Sequence, residues 1–166
     1  MRRKVSDLLR EQHGELRQAL DGCFISGGVD AHQFDVFRHR LLWHVSVEER
    51  VVMPALIAAL PQAPGWRNGL KKDHAGIAAL CVPRPEREWL ENLKDLLDAH
   101  YRVEETDGGL LSTCDEVLKG PLELHVVTAI EGHPPLTLAP FRRGASVRSQ
   151  VTALLRMLGV TERVSG

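Results

Sequence analysis

Apolar side chains recur at helical spacing along most of the first 120 positions. Leu9, His13, Leu16 and Leu20 stand at i, i+4, i+7 and i+11, one face of a helix that starts at Ser6 or Asp7. Both are cap-forming residue types. After a turn at Gly27-Gly28, a second stripe runs through Phe34, Phe37, Leu41, His44, Glu48 and Val51 or Val52. It predicts a helix over residues 30–60, capped by Asp30. Pro54 lies inside that pattern, lacks an N–H, and predicts a kink or break one turn earlier. A shorter third helix is expected over residues 66–80, with Leu70, His74, Ile77 and Cys81 on its stripe and Pro83 and Pro85 ending it. A fourth begins near Glu86 and reaches Thr106, lined by Trp89, Leu93, Leu96 or Leu97, His100 and Glu104. Gly108-Gly109 interrupts it, and residues 110–119 read as a separate turn or helix.

Short connections make successive helices antiparallel neighbours. The expected fold class is therefore all-α: an up-down-up-down four-helix bundle over residues 1–119, followed by a C-terminal extension over residues 120–166. In the extension, residues 122–130 and 136–141 are rich in branched side chains and partly alternating. A hairpin and an extended wrap around the bundle both fit that pattern. One more helix is expected from Ala145 to Leu158, with Val147, Val151, Leu154 and Leu158 as its apolar face and Gly159 as its stop. That face needs a cover, supplied by the bundle or by a second copy of the chain in a homodimer.

Charge and composition narrow the partners. The 21 basic and 22 acidic residues leave a formal net charge of -1, which gives no electrostatic case for nucleic acid or an acidic membrane surface. No apolar run approaches the roughly 18 residues needed to cross a bilayer. The opening Met-Arg-Arg-Lys is not followed by the apolar stretch of a signal peptide. Cys23, Cys81 and Cys114 are far apart and odd in number, so they suggest neither a disulfide framework nor a thiolate zinc site. A cytoplasmic protein is expected.

Eight histidines change the picture. Each predicted helix carries one on its inner stripe: His13, His44, His74 and His100. Two are followed four residues later by a glutamate, giving His44-x-x-x-Glu48 and His100-x-x-x-Glu104. Residues i and i+4 point the same way on a helix, so each pair is a two-toothed clamp of imidazole and carboxylate. A lone histidine on an apolar stripe is usually a hydrogen-bonded core residue, and one such pair usually lies on the surface. Four stripe histidines with two glutamates in matching register are much harder to obtain by chance. Buried carboxylates need compensating positive charge, and two divalent ions held among these six side chains would supply it. Histidine ligands must be neutral, so metal loss is expected as pH falls through about 6 to 5.

The phrases REQHGELRQAL, LLWHVSVEERVVMPAL, KKDHAGIAAL and LLDAHYRVEETDGGLL resemble the four helices of the hemerythrin-like (HHE cation-binding) domain family. The two H-x-x-x-E-E phrases are the specific part. The resemblance implies two irons, with Glu48 and Glu104 bridging and His13, His44, His74 and His100 as terminal ligands. An oxo, hydroxo or water bridge belongs to the same picture. Ligand softness leaves manganese, zinc and cobalt open. Glu49 and Glu105 match the second glutamate of each phrase and are expected to be solvated or to support the ligands.

Oxygen-carrying hemerythrins have a fifth histidine in an H-x-x-x-H pair on the third helix. Here the positions four either side of His74 are Leu70 and Ala78. Four histidines and two glutamates resemble instead the Ric-type iron-sulfur repair proteins and the iron-sensing members. The expected partners are small diatomic molecules or peroxide. With two histidines per metal plus bridges, each ion should keep open positions, and three functions are expected: a di-iron protein that handles peroxide or nitric oxide or serves iron-centre repair, a sensor module without turnover, and an oxygenase whose tail contacts an organic substrate. Tyr101, Trp43, His32 and His39 read as packing or surface residues, and His125 and His133 in the tail as non-ligands.

Overall fold

The computed structural model describes residues 3–160. Residues 161–166, the end of the expected extension, lie outside the described residues. Helix α1 spans Val5–Asp21, α2 Ala31–Val47, α3 Met53–Ala59, α4 Arg67–Leu80 and α5 Arg87–Glu105. Strands β1 (Phe24–Ile25) and β2 (Gly28–Val29) form a small antiparallel hairpin between α1 and α2. Gly27, at φ 78°, supplies the left-handed residue its turn requires.

Asp30 caps α2 as expected, its side chain accepting from the N–H groups of His32 and Gln33. Neither Ser6 nor Asp7 caps α1. Lys4 precedes that helix without a side-chain cap, and the Ser6 hydroxyl instead donates to Asp115 at 2.8 Å. Pro54 acts where the sequence predicts. The turn Glu48–Val52 is π-helical, and the Met53 N–H donates to the Glu48 carbonyl five residues back. The ladder widens one turn ahead of the residue that cannot donate.

The fold is an all-α, hemerythrin-like bundle with helical additions. Its core is two apolar clusters. One holds Leu16, Leu20, Phe34, Phe37, Leu41, Ile77, Leu80, Leu93 and Leu97. The other holds Val5, Leu9, Val47, Val52, Met53, Leu56, Leu70 and Leu110. Helices α1 and α4 run from the second cluster to the first, and α2 and α5 run back. The buried polar residues His13, His44, His74, His100 and Glu104 fall between them on α1, α2, α4 and α5, with Glu48 at the turn that follows α2. A polar layer thus sits mid-bundle with apolar packing above and below.

Helix α6, Leu110–Val117, follows the Gly108-Gly109 break and packs against α1 and α5. Gly109 is needed for space. A Cβ there would lie 2.3 Å from the Val103 carbonyl oxygen and 2.7 Å from that of Glu104. Gly109→Ala is expected to destabilise the chain by about 3 kcal/mol and to weaken metal binding by displacing Glu104. Urea denaturation with and without chelator would measure both.

Residues 122–130, expected as a hairpin or an extended wrap, are helical instead: α7 spans Gly120–Glu131. Pro121 presets a helical φ in its first turn. Val126, Val127 and Ile130 then share one buried face against the π-helical turn and α1. Tertiary burial overrides the β preference of these branched residues. Residues 134–141 form neither helix nor strand. They are fastened by Arg38, whose guanidinium donates to the carbonyls of Cys81 (3.1 Å) and Ala139 (2.9 Å) and lies over the Phe141 ring. Helix α8, Ala145–Met157, packs on α4 and ends at Gly159, φ 68°. Its buried face is Val147, Val151 and Leu155, turned slightly from the Leu154 and Leu158 expected, and the bundle of the same chain covers it. Among the described residues, no helix is long and apolar enough to cross a membrane.

Candidate metal centre

All six side chains singled out by spacing meet in the polar layer. The clamp on α2 ends at the first residue of the π-helical turn, Glu48, and the clamp on α5 ends at Glu104. Glu48 Oε1 lies 3.1 Å from His44 Nε2 and 3.8 Å from His13 Nε2, while its Oε2 lies 3.1 Å from His74 Nε2. Glu104 Oε2 lies 3.2 Å from His13 Nε2, and its Oε1 lies 3.2 Å from His100 Nε2. Each carboxylate therefore turns one oxygen towards each half of the site. The imidazoles pair accordingly, His13 with His44 and His74 with His100, both at 4.9 Å between ring centres.

The residues form two overlapping groups able to hold a metal ion: His13, His44, Glu48, Glu104, and Glu48, His74, His100, Glu104. Within each, the ligand atoms lie within 4.8 Å of one another. All four Nε2 atoms and all four carboxylate oxygens are buried, close in distance, yet without a hydrogen-bond partner. Buried polar atoms are almost always satisfied. Eight such orphans gathered in one buried layer fit cationic occupancy.

The other imidazole nitrogens are held from outside. His13 Nδ1 lies 2.8 Å from Glu105 Oε1, His74 Nδ1 3.0 Å from Glu49 Oε1, and His44 Nδ1 2.7 Å from Gln12 Oε1. His100 Nδ1 faces Asp73 Oδ2 at 3.5 Å. Such partners fix the tautomer and aim Nε2 inward. The second glutamates of the two H-x-x-x-E-E phrases thus each support a histidine on another helix. Gln12 and Asp73 were not anticipated. Each sits one residue before a site histidine, about 100° round the helix, where it reaches the next helix. Glu105→Ala is expected to weaken metal binding about 10- to 100-fold while leaving the fold intact, measurable by competition with a chelator.

Burial pushes the imidazole of His13 down, but the carboxylates of Glu104 and Glu48 outweigh it and raise its pKa to about 9. His100 goes the same way, to about 10, through Glu104 and Asp73. Burial would raise Glu48, but His44, His13 and His74 hold it well below the usual carboxylate range. With no metal bound, protons supply the countercharge.

Tyr101, read from sequence as packing, touches the centre. Its ring stacks on His13 at 4.3 Å, Arg17 lies over it, and its buried hydroxyl has no hydrogen-bond partner. Burial and the two carboxylates push its pKa up, so it stays a neutral phenol. The sequence signal was only its position beside His100. His32 is exposed and His125 lies on the outer face of α7, so neither reaches the site. His133 binds the Ser46 hydroxyl at 2.9 Å, outside the layer. Leu70 is buried in apolar packing and Ala78 faces outward, so α4 offers the site a single histidine.

A family model, the hemerythrin HHE cation-binding domain, matches residues 4–107. The chain belongs to that family. The match spans α1 to α5, the helices that carry the whole site, and ends before α6. No curated protein and no solved structure matches the chain. The buried histidine and glutamate groups are those of a metal-binding member of the family.

Proposed function

We propose that the chain is a non-heme di-iron protein of the cytoplasm that reacts with or senses O2, peroxide or nitric oxide, in stress response or repair of iron centres. The observation that carries this reading is the sharing of Glu48 and Glu104 between two histidine pairs. His13 and His44 would hold one ion, His74 and His100 the other, and the two carboxylates would span both. Two histidines and two shared oxygens leave each ion short of six donors, unlike a closed structural site. Bound there, two irons would supply electrons to a small oxidant. Manganese and zinc fit the same donors less specifically.

The chain's own residues do the rest. The apolar clusters exclude water from both ends of the layer. Glu49, Glu105 and Gln12 hold three of the imidazoles at their Nδ1 atoms and aim Nε2 inward, and the Asp73 carboxylate faces the Nδ1 of the fourth, His100. The Tyr101 hydroxyl, left unpaired beside His13, offers a donor to whatever enters the site.

Iron-reconstituted protein is expected to consume peroxide, or to form a coloured nitric oxide adduct, at least tenfold faster than His100→Ala. Equal rates in the two proteins would overturn the reading. Metal analysis of protein purified without chelator identifies the ion. An oxygenase role is favoured by one observation, an open pocket bordering His44. A sensor role is favoured by another, the packing of α7 on the π-helical turn that begins at Glu48.

A further inference from the structure

A cavity of about 380 Å³ opens between α1, α2 and the tail, with the His44 imidazole among its lining groups. That volume is at the lower end of the ~300–1,000 Å³ typical of small-molecule sites. One wall belongs to the tail: His133, Pro135 and Leu136 lie beyond position 107, where the family match ends. The wall is fastened in place. The Trp43 indole N–H donates to the His133 carbonyl at 3.2 Å, and His133 Nε2 meets the Ser46 hydroxyl. The pocket is therefore an addition of this chain to the bundle.

Its chemistry is two-sided. Trp43, Leu16, Pro135 and Leu136 give it an apolar lining. Its polar lining is Gln12, Glu15, His39, Arg40, His44 and His133, and of these Gln12 and Arg40 supply the donors. The carboxamide oxygen of Gln12 accepts from His44 Nδ1, which leaves its NH2 group as the face offered to the pocket. Arg40 adds a guanidinium at the rim. Glu15 takes one of its nitrogens at 2.6 Å, neutralising the pair and leaving further N–H groups. A ring lying against an indole with donors beside it calls for a flat molecule with an acceptor oxygen.

We infer that this pocket binds a planar aromatic molecule of one or two fused rings bearing a carbonyl or carboxylate oxygen, with the ring against Trp43 and Leu136 and the oxygen towards Gln12 and Arg40. The inference needs no metal, since every group involved is held by protein contacts. Occupancy would nonetheless be felt at the centre, because Gln12 is the partner of His44.

Isothermal titration of the full chain with 2-naphthoate, 2-naphthamide and 2-naphthylmethylammonium tests it, in metal-free and metal-loaded protein alike. Saturable one-to-one binding of naphthoate is expected in both forms. Binding of naphthamide as well assigns a carbonyl ligand, and its absence a carboxylate. The cationic probe should bind at least tenfold more weakly. Leu136→Trp and Pro135→Trp, which fill the cavity from the exposed tail, should each weaken naphthoate at least tenfold with unchanged helicity. No saturation by any probe, equal affinity for the cation, or unaltered binding in both filled variants would overturn the assignment. None of these outcomes touches the peroxide assay, so the two proposals fail separately.

Discussion

Replacing Glu48 with alanine is expected to strip the chain of its metal and to destabilise the metal-free bundle by about 3–5 kcal/mol, the range found when one partner of a buried charged pair is removed. Glu48 is fully buried and faces His13, His44 and His74. It is the only side chain of the site whose two oxygens reach three imidazoles. On the proposed assignment, its removal would take one donor from each ion. Without metal, its removal strands buried imidazolium charge. A loss of this size is about a fifth or more of the stability of a typical domain. Glu48→Gln keeps the volume and removes the charge, so it should lose metal as fully while losing less stability. Metal analysis of both variants, and urea denaturation in chelator, separate the two effects. A Glu48→Ala protein that stays fully metallated and equally stable would contradict the shared role.

Metal-free protein and metal-loaded protein should respond to pH in opposite directions. His13 and His100 have folded pKa values of about 9 and about 10, both above the 6.5 of the unfolded chain. A raised pKa stabilises the fold fully below pH 6.5 and loses its contribution as pH rises towards 9 to 10. Each such proton contributes a slope of up to about 1.4 kcal/mol per pH unit. Glu48 and Glu104 are lowered, so their contribution is present above pH 4.5 and is lost as pH falls below it. Metal-free stability should therefore peak between about pH 5 and 6.5 and decline through pH 9. Metal affinity should rise over the same interval, about tenfold per unit for each proton displaced. Urea midpoints in chelator at pH 6.5, 8 and 9.5, alongside chelator competition at the same values, would show the crossing. Rising metal-free stability with pH would contradict the pairing of imidazolium with carboxylate. Free-imidazole chemistry alone places metal loss near pH 6 to 5. The carboxylates extend proton competition upward because they favour the protonated ring.

The bundle and the six side chains that meet in its polar layer were legible along the chain because both obey a local rule. Period 3.6 places His13, His44, His74 and His100 on buried stripes, and i+4 places Glu48 and Glu104 over two of them, whatever the helices pack against. Asp30 and Pro54 likewise act within one turn of themselves. What depended on distant partners was not legible. Ser6 left its capping role for Asp115, a hundred residues on. Residues 122–130 followed burial against α1 rather than their own β preference.

Gln12 came to hydrogen-bond His44, and Asp73 to face His100 at 3.5 Å, only once neighbouring helices were packed together. Tyr101 joined the centre only when His13 came to lie against its ring. Sequence determined which side chains face inward and in what register, since that is a property of a single helix. Tertiary structure decided which faces meet, and so which oxygen serves which histidine, which groups hold the rings, and where the tail leaves a pocket. Those are distances between separate elements, and no spacing along one of them contains that information.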